Sequence, residues 1–146
     1  MKLIFLDIDG VMNHRKHFVR SRLHEGQEFC PIAVRNLREI IKRTGAKIVV
    51  SSTWRKMGAT RMKAILRSYD MHQYFYGLTP VIDEVIRGLE IQQFLDGCND
   101  EIESFVILDD DDDMGDLINL LVHTSNIDGL NDDKREEAVK ILVKEK

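Results

Sequence analysis

The chain opens with MKLIFLDIDGV, residues 1–11, where an apolar run leads directly into Asp7, Asp9 and Gly10. The run KLIFL shows no alternation of polar and apolar residues, which is typical of a strand buried on both faces of a sheet. Asp9 stands two residues after Asp7, so both side chains are expected to point to the same side. Gly10 would let the chain turn sharply out of the strand. The stretch therefore predicts paired carboxylates at the end of the first strand.

The rest of the chain alternates apolar runs with segments of helical period. Further strands are predicted at AKIVV (46–50), YFYGLT (74–79) and SFVIL (104–108). Residues 116–124 favour a helical turn followed by a short strand. Helices are predicted at 31–45, 58–70, 88–97 and 132–146, the last one capped by Asn131. This alternation predicts one α/β domain over residues 1–146, with three layers in a Rossmann-like arrangement and a mainly parallel central sheet.

Composition is typical of a globular protein. The chain has 146 residues, which suit one domain, and 43% of them are apolar while 32% are charged. No apolar run approaches the roughly 20 residues of a membrane span, and the N-terminus lacks the cleavage motif of a signal peptide. Cys30 and Cys98 show no metal-binding spacing. We therefore expect a cytoplasmic protein with no membrane association and no obligate protein partner.

Charge is unevenly distributed along the chain. The net charge of −4 argues against general affinity for nucleic acids. Residues 11–24 nevertheless contain no acidic residue and four basic ones: Arg15, Lys16, Arg20 and Arg22. The wider segment 11–30 is polar without a clear period, which predicts a flap-like basic loop or a small hairpin. Since it follows Gly10, we expect it at the mouth of a site there, where it would attract a polyanion; the alternative is a solvated surface.

Polar residues follow three of the predicted strands. In parallel α/β sheets, ligands lie beyond the carboxyl ends of the strands. The chain places Asp7 and Asp9 after the first strand, Ser51 and Ser52 after the second, and five aspartates, residues 109–113, after SFVIL. If these ends meet, they form a magnesium site with donors for an anion, because Mg²⁺ prefers oxygen ligands and is commonly held by one or two carboxylates plus a phosphate.

Each cluster also has a structural alternative. The DIDG motif occurs in ordinary turns, SSTW (51–54) can cap a following helix, and the acidic run can be a solvated loop. A calcium-binding EF-hand loop is excluded, because Met114 stands at its sixth position and Leu120 at its twelfth. The combination favours a cation site, since five consecutive aspartates repel one another strongly unless a cation lies among them.

Four segments together resemble a known family. LDIDGV (6–11), VVSSTWR (49–55), Arg87 before a helix and ILDDDDD (107–113) are similar to the four motifs of the haloacid dehalogenase (HAD) superfamily of phosphohydrolases. The likeness runs from residue 3 to about residue 113, and NIDGL (126–130) also fits small members. The combination most resembles the compact HAD domains of RNA repair proteins and, more distantly, polynucleotide 3′-phosphatase domains.

The resemblance implies a covalent mechanism. Asp7 would attack phosphorus and form an aspartyl-phosphate. The backbone carbonyl of Asp9 would bind Mg²⁺, while its side chain would protonate the leaving oxygen and later activate water. Ser51 would hydrogen-bond the phosphoryl oxygens, with Ser52 in its place if the strand ended one residue later.

The remaining implied roles concern charge. Arg87 would offset the negative charge of phosphate and nucleophile; its alternative is a surface arginine at a helix start. Asp7 and Asp110 would be metal ligands, with Asp109 sharing that role or standing behind it. Asp113 is a weaker candidate for the metal.

The spacing of the motifs leaves no room for a cap domain. An open site suits a phosphate on a large molecule, or a small substrate bound weakly. We expect Trp54, Arg55, Arg15 and Lys16 to contact such a substrate, Trp54 by stacking on a terminal nucleotide; the alternative for Trp54 is packing against the helix below.

The sequence thus predicts a Mg²⁺-dependent phosphomonoester hydrolase that acts on a nucleic-acid end or a nucleotide. One alternative is a phosphatase for small metabolites or phosphoproteins. Another, from a different class, is a catalytically silent HAD-like binding module, which the presence of both Asp7 and Asp9 disfavours.

Overall fold

The first strand, β1 (Lys2–Leu6), forms the centre of a five-stranded sheet in the computed structural model, which describes residues 1–144. The other strands are β2 (Lys47–Val50), β3 (Phe75–Leu78), β4 (Ser104–Asp109) and β5 (Leu121–His123). All neighbouring strands run parallel, in the order β3-β2-β1-β4-β5. The strand order therefore reverses between β1 and β4, at the switch point where sheets of this class bind ligands.

Helices cover both faces of the sheet, which confirms the predicted three-layer α/β architecture. They are α1 (Pro31–Thr44), α2 (Ala59–Arg67), α3 (Arg87–Gly97) and α4 (Asp132–Leu142). Alternate residues of β1 serve the two faces: Ile4 and Leu6 pack with α1, α2 and α4, whereas Leu3 and Phe5 pack with α3. Burial on both faces explains why β1 reads as one unbroken apolar run.

The helix boundaries follow local signals. Helix α1 begins at Pro31 and ends before Gly45, whose left-handed φ of 75° and N–H bond to the Ile41 carbonyl terminate it. Asn131 caps α4 as predicted, accepting a bond from the Lys134 N–H. Helix α4 ends at Leu142, earlier than predicted; residues 145–146 of the predicted helix lie outside the described residues.

Two short 3₁₀ helices, Thr53–Met57 and His72–Tyr74, flank α2 and were not predicted. Helix α2 begins one residue after the start of the expected range 58–70 and ends three residues before its end, ahead of the turn at Asp70, which has a φ of 57°. A third 3₁₀ helix, Gly115–Leu120, precedes β5, in agreement with the helical turn and strand predicted there.

Residues 11–30 form a hairpin-like excursion, here called the flap. Its two arms are joined by an isolated antiparallel bridge between Arg20 and Gln27, and the Glu28 N–H donates to the Val19 carbonyl. Phe29 and Cys30 return the chain to the core. No cap domain occurs within residues 1–144, and no helix in that range is long and apolar enough to cross a membrane.

Candidate active site

The carboxylates predicted at two strand ends meet at the switch point. Leu6 pairs with Leu108 in the parallel ladder, and the Asp7 N–H donates to the Leu108 carbonyl, so Asp7 lies beside Asp109. One carboxylate oxygen from each of Asp7, Asp109 and Asp110 lies within 4.8 Å of the others. Asp7 and Asp109 are buried and Asp110 is partly exposed. These three residues are called the carboxylate cluster below.

Gly10 is required where the chain leaves β1. It has a φ of 82°, and a Cβ atom there would overlap the carboxylate of Asp110. The Thr124 hydroxyl, which follows β5, donates to the Gly10 carbonyl at 2.8 Å. The turn after β1 is therefore held against the end of β5, and the absence of a side chain at Gly10 leaves room for the Asp110 carboxylate of the loop after β4.

Arg87 lies inside the site rather than on the surface. Its Nη1 is 2.8 Å from Asp109 Oδ2 and 3.1 Å from Asp7 Oδ1. The start of α3 is docked on the acidic loop, because the Arg87 N–H donates to Asp113 Oδ2 and a Cβ on Gly88 would overlap the Met114 carbonyl. Asp113 thus serves the helix N-terminus and lies outside the group of three possible metal ligands.

The electrostatics of the carboxylate cluster favour a bound cation. Burial, with repulsion from Asp109, raises the pKa of Asp7 to about 8, although Arg87 opposes the shift. Burial also raises the pKa of Asp110. For Arg87, burial lowers the pKa, but Asp109 and Asp7 outweigh it and the net shift is upward. One guanidinium does not balance three carboxylates, and their hard oxygen atoms fit the preference of Mg²⁺.

Ser51 is the first residue after β2, and its strand position puts it next to Asp7 at the same sheet edge. Its side chain is buried, and its Oγ has no hydrogen-bond partner in the protein. Ser52 Oγ, by contrast, accepts a bond from the Trp54 N–H and caps the 3₁₀ helix Thr53–Met57. Because β2 ends at Val50, Ser51 rather than Ser52 is the hydroxyl left for a ligand.

Asp9 lies on the exposed side of the turn. Its Oδ1 accepts a bond from Asn13 Nδ2 at 2.9 Å, and its Oδ2 accepts one from Trp54 Nε1 at 3.0 Å. Its side chain is not part of the carboxylate cluster. The backbone contact to a metal and the proton transfers expected of Asp9 stay predictions.

Residues 3–134 match the family described as the HAD domain in Swiss Army Knife RNA repair proteins. The chain belongs to this family. Comparison with curated proteins and with solved structures gives no match. The family match extends past the resemblance noted in the sequence, which ended near residue 113, and takes in β5 and the start of α4.

Arg55 has a structural role in this HAD domain. Its side chain is 4% exposed. The guanidinium forms a buried ion pair with Glu90 at 2.8 Å and donates to the backbone carbonyls of Ser51, Ser52 and Thr79. We therefore correct the expectation that Arg55 clamps a substrate: its donors are used inside the protein, where they join the ends of β2 and β3 to α3.

Trp54 is also engaged by the protein. Its ring centroid lies 6.1 Å from those of His24 and Phe29, and a Cβ on Gly26 would come within 2.5 Å of the indole. The ring thus packs against the flap, and its N–H bonds Asp9. Stacking of Trp54 on a nucleotide remains a prediction.

The basic residues of the flap lie at the surface, and their contact with a substrate stays a prediction. Arg15, Lys16, Arg20 and Arg22 are all exposed. Lys16 Nζ lies 2.6 Å from Asp128 Oδ1, whereas no ion pair involves the other three within the described residues. The NIDGL segment (126–130) contacts the flap through Asp128, which pairs with Lys16, and through Gly129, where a Cβ would overlap the Val11 carbonyl.

Three residues at the site escaped the sequence analysis. Thr79 and Thr124 follow β3 and β5, and both are buried at the same edge of the sheet. The strand-end rule finds both if it is applied to all five strands. Asn13, which bonds Asp9, carries no such signal.

Proposed function

We propose that this HAD domain is a Mg²⁺-dependent phosphomonoester hydrolase that uses Asp7 as a nucleophile. The observation that carries the proposal is the convergence of Asp7, Arg87 and the unpartnered Ser51 hydroxyl beside two further carboxylates. This set supplies a nucleophile, a cation and a hydroxyl donor for one phosphoryl group.

The reaction would proceed in two steps. An Asp7 carboxylate oxygen attacks phosphorus, the bond from phosphorus to the leaving oxygen breaks, and Asp9 gives its proton to that oxygen. Asp9 then takes a proton from water, the water oxygen attacks phosphorus, and the bond to Asp7 breaks to release inorganic phosphate. Arg87 and Ser51 would stabilise the charge on the phosphoryl oxygens in both steps.

Asp7, Asp110 and the backbone carbonyl of Asp9 would hold Mg²⁺, with Asp109 sharing the role. The bound ion would neutralise negative charge on the phosphoryl group and on Asp7. The raised pKa of Asp7 supports this part of the proposal, because a cation would return the residue to the ionised form that attacks phosphorus.

We propose a nucleic-acid end, or a nucleotide, as the substrate. Three observations support this class: the RNA repair context of the family, the absence of a cap within residues 1–144, and the exposed cations of the flap. A polyanion would gain from those cations, and a small ester would not.

The test is phosphate release from a panel of oligonucleotides with 3′- or 5′-phosphates, mononucleotides, sugar phosphates and a phosphopeptide, with and without Mg²⁺. We expect Mg²⁺-dependent turnover that is fastest on an oligonucleotide. If a sugar phosphate or the phosphopeptide is hydrolysed faster than any oligonucleotide or nucleotide, that ester replaces the nucleic-acid end as the proposed substrate. If the protein still binds the oligonucleotide but releases phosphate from no ester, the result favours the catalytically silent binding module.

A further inference from the structure

The turn after β1 leaves the Asp9 side chain exposed, so packing does not set its orientation. Two hydrogen bonds do so instead, one to each carboxylate oxygen. Asn13 Nδ2 lies 2.9 Å from Oδ1, and Trp54 Nε1 lies 3.0 Å from Oδ2. Both donors come from residues that the two-step reaction does not otherwise use.

Asn13 is held firmly enough to act as a fixed donor. It is 1% exposed, and its Oδ1 accepts a bond from the Gly10 N–H at 3.3 Å. This bond determines which end of the side-chain amide faces Gly10. Its NH₂ group is therefore directed at Asp9.

Trp54 is fixed from two sides. Its backbone N–H bonds the Ser52 hydroxyl at 3.2 Å, next to Ser51 in the candidate site. Its ring meets Gly26, which has a φ of 86°, together with His24 and Phe29. The indole N–H thus connects Asp9 with both the end of β2 and the flap.

We propose that Trp54 and Asn13 are positioning residues for proton transfer by Asp9. This inference rests on the proposed function. Neither residue touches the reacting phosphorus in the scheme above; each acts by orienting the carboxyl group that must reach the leaving oxygen. Misplacing a general acid lowers the rate of steps that move a proton and leaves other steps unchanged.

The test compares two esters with the variant Trp54→Phe, which keeps an aromatic ring and removes the N–H donor. An alkyl phosphate has a poor leaving group that needs a proton, whereas a nitrophenyl phosphate has a good one that does not. The ratio kcat/KM reports the steps up to loss of the leaving group. We expect kcat/KM for the alkyl ester to fall about tenfold, a part of the roughly 10²–10⁴-fold that general acid catalysis contributes, and to change little for the nitrophenyl ester.

Phe29→Leu is the matched control, because Phe29 contacts the Trp54 ring but has no hydrogen bond to Asp9. Phe29→Leu should not lower kcat/KM for the alkyl ester selectively. In an Asp9→Asn background, Trp54→Phe should have no further effect on the alkyl ester, since residues that act as a unit are non-additive. If Trp54→Phe does not fold, Asn13→Leu removes the second donor at similar volume without adding a charge, and it should lower kcat/KM selectively for the alkyl ester in the same way.

Equal losses on both esters, or an additive effect in the Asp9→Asn background, would overturn the positioning role and leave the proposed function standing. Wild-type protein that hydrolyses neither of these esters nor any ester of the panel would overturn both.

Discussion

The carboxylate cluster and the flap border the same site but are held in different ways. Asp7 and Asp109 sit on neighbouring strands whose backbones are joined in register. The flap is held by isolated bridges and side-chain contacts, such as the bond from the Phe29 N–H to the Tyr69 hydroxyl at 2.9 Å. The proposed nucleophile and metal ligands thus stand at the ends of paired strands, whereas the proposed substrate contacts Arg15, Arg20 and Arg22 are exposed side chains of the flap.

The largest expected difference between the carboxylate cluster and the flap is in the effect of substitutions on turnover. Asp7→Asn removes the proposed nucleophile with almost no change in volume, so turnover should fall by on the order of 10⁴-fold or more, as for other nucleophile deletions. Asp128→Asn makes the same chemical change at the base of the flap, where Asp128 pairs with Lys16. It should retain most of the activity. Steady-state rates on the best ester of the panel measure both, and near-normal turnover of Asp7→Asn would end the covalent mechanism.

The next difference concerns stability. Arg55→Met breaks a buried ion pair and leaves Glu90 without its charged partner, so the free energy of unfolding should fall by about 3–5 kcal/mol. Arg22→Met is the flap control, because Arg22 is exposed, and it should change the value by no more than about 0.5 kcal/mol. Urea unfolding curves measure both variants. Similar losses for the two arginines would contradict the structural role of Arg55.

The metal-free protein should become less stable as pH rises, because the folded carboxylate cluster holds a proton more tightly than the unfolded chain does. The pKa of Asp7 is about 8 in the folded state against 3.8 ordinarily, mainly because of burial. Between these values the folded protein holds a proton that the unfolded chain has lost, so the free energy of unfolding falls with increasing pH. At about 1.4 kcal/mol per pKa unit, the loss amounts to a few kcal/mol.

Melting temperatures of wild type and Asp7→Asn, measured in chelator from pH 4 to pH 8, isolate this effect. The difference between the two proteins should shift in favour of Asp7→Asn as pH rises. Mg²⁺ should raise the wild-type melting temperature more at pH 8 than at pH 5, since binding must displace the proton, and Asp110→Ala should remove most of that rise. A difference that is independent of pH would show that Asp7 is ionised without metal.

The smallest effect is expected in the flap. Changing Arg15, Arg20 and Arg22 to Gln should raise KM for a phosphorylated oligonucleotide by about tenfold, and much less for an aryl phosphate. At roughly −0.7 in log K against log salt per phosphate contact, three contacts give a slope near −2 that the variant should lose. Lys16→Gln is the control with a weaker effect, because Lys16 already pairs with Asp128. Equal changes in KM for both substrates would mean that the flap arginines stabilise the fold and do not bind a polymer.

Much of the carboxylate cluster could be predicted because it depends on strand ends. Once KLIFL and SFVIL are placed side by side in a parallel sheet, Asp7 and Asp109 become neighbours, and Ser51 follows on the other side. The glycine at the sharp turn after β1 could also be predicted, whereas the approach of Asp110, which leaves no room for a side chain at Gly10, is visible only in the fold. Arg87 was found through the family resemblance, because its motif has no strong local signal.

Trp54 and Arg55 show where sequence reasoning stops. Both follow Ser51 directly and look equally available to a substrate. Only the folded chain shows that the Arg55 guanidinium bonds Glu90, 35 residues away. It also shows that the indole ring of Trp54 packs against Gly26 and that its N–H bonds Asp9. Whether a polar group is free or satisfied depends on partners that are distant in sequence.

The sequence by itself determined the parallel α/β sheet, the order of its motifs and the residues at the ends of β1, β2 and β4, because apolar runs and their periods are local properties of the chain. The tertiary structure alone decided which of those residues meet. It brought Asp110 under Gly10, turned Arg87 toward Asp7, buried Arg55 on Glu90 and joined Asp9 to the flap through Trp54. These contacts depend on packing between distant segments, which no local pattern encodes.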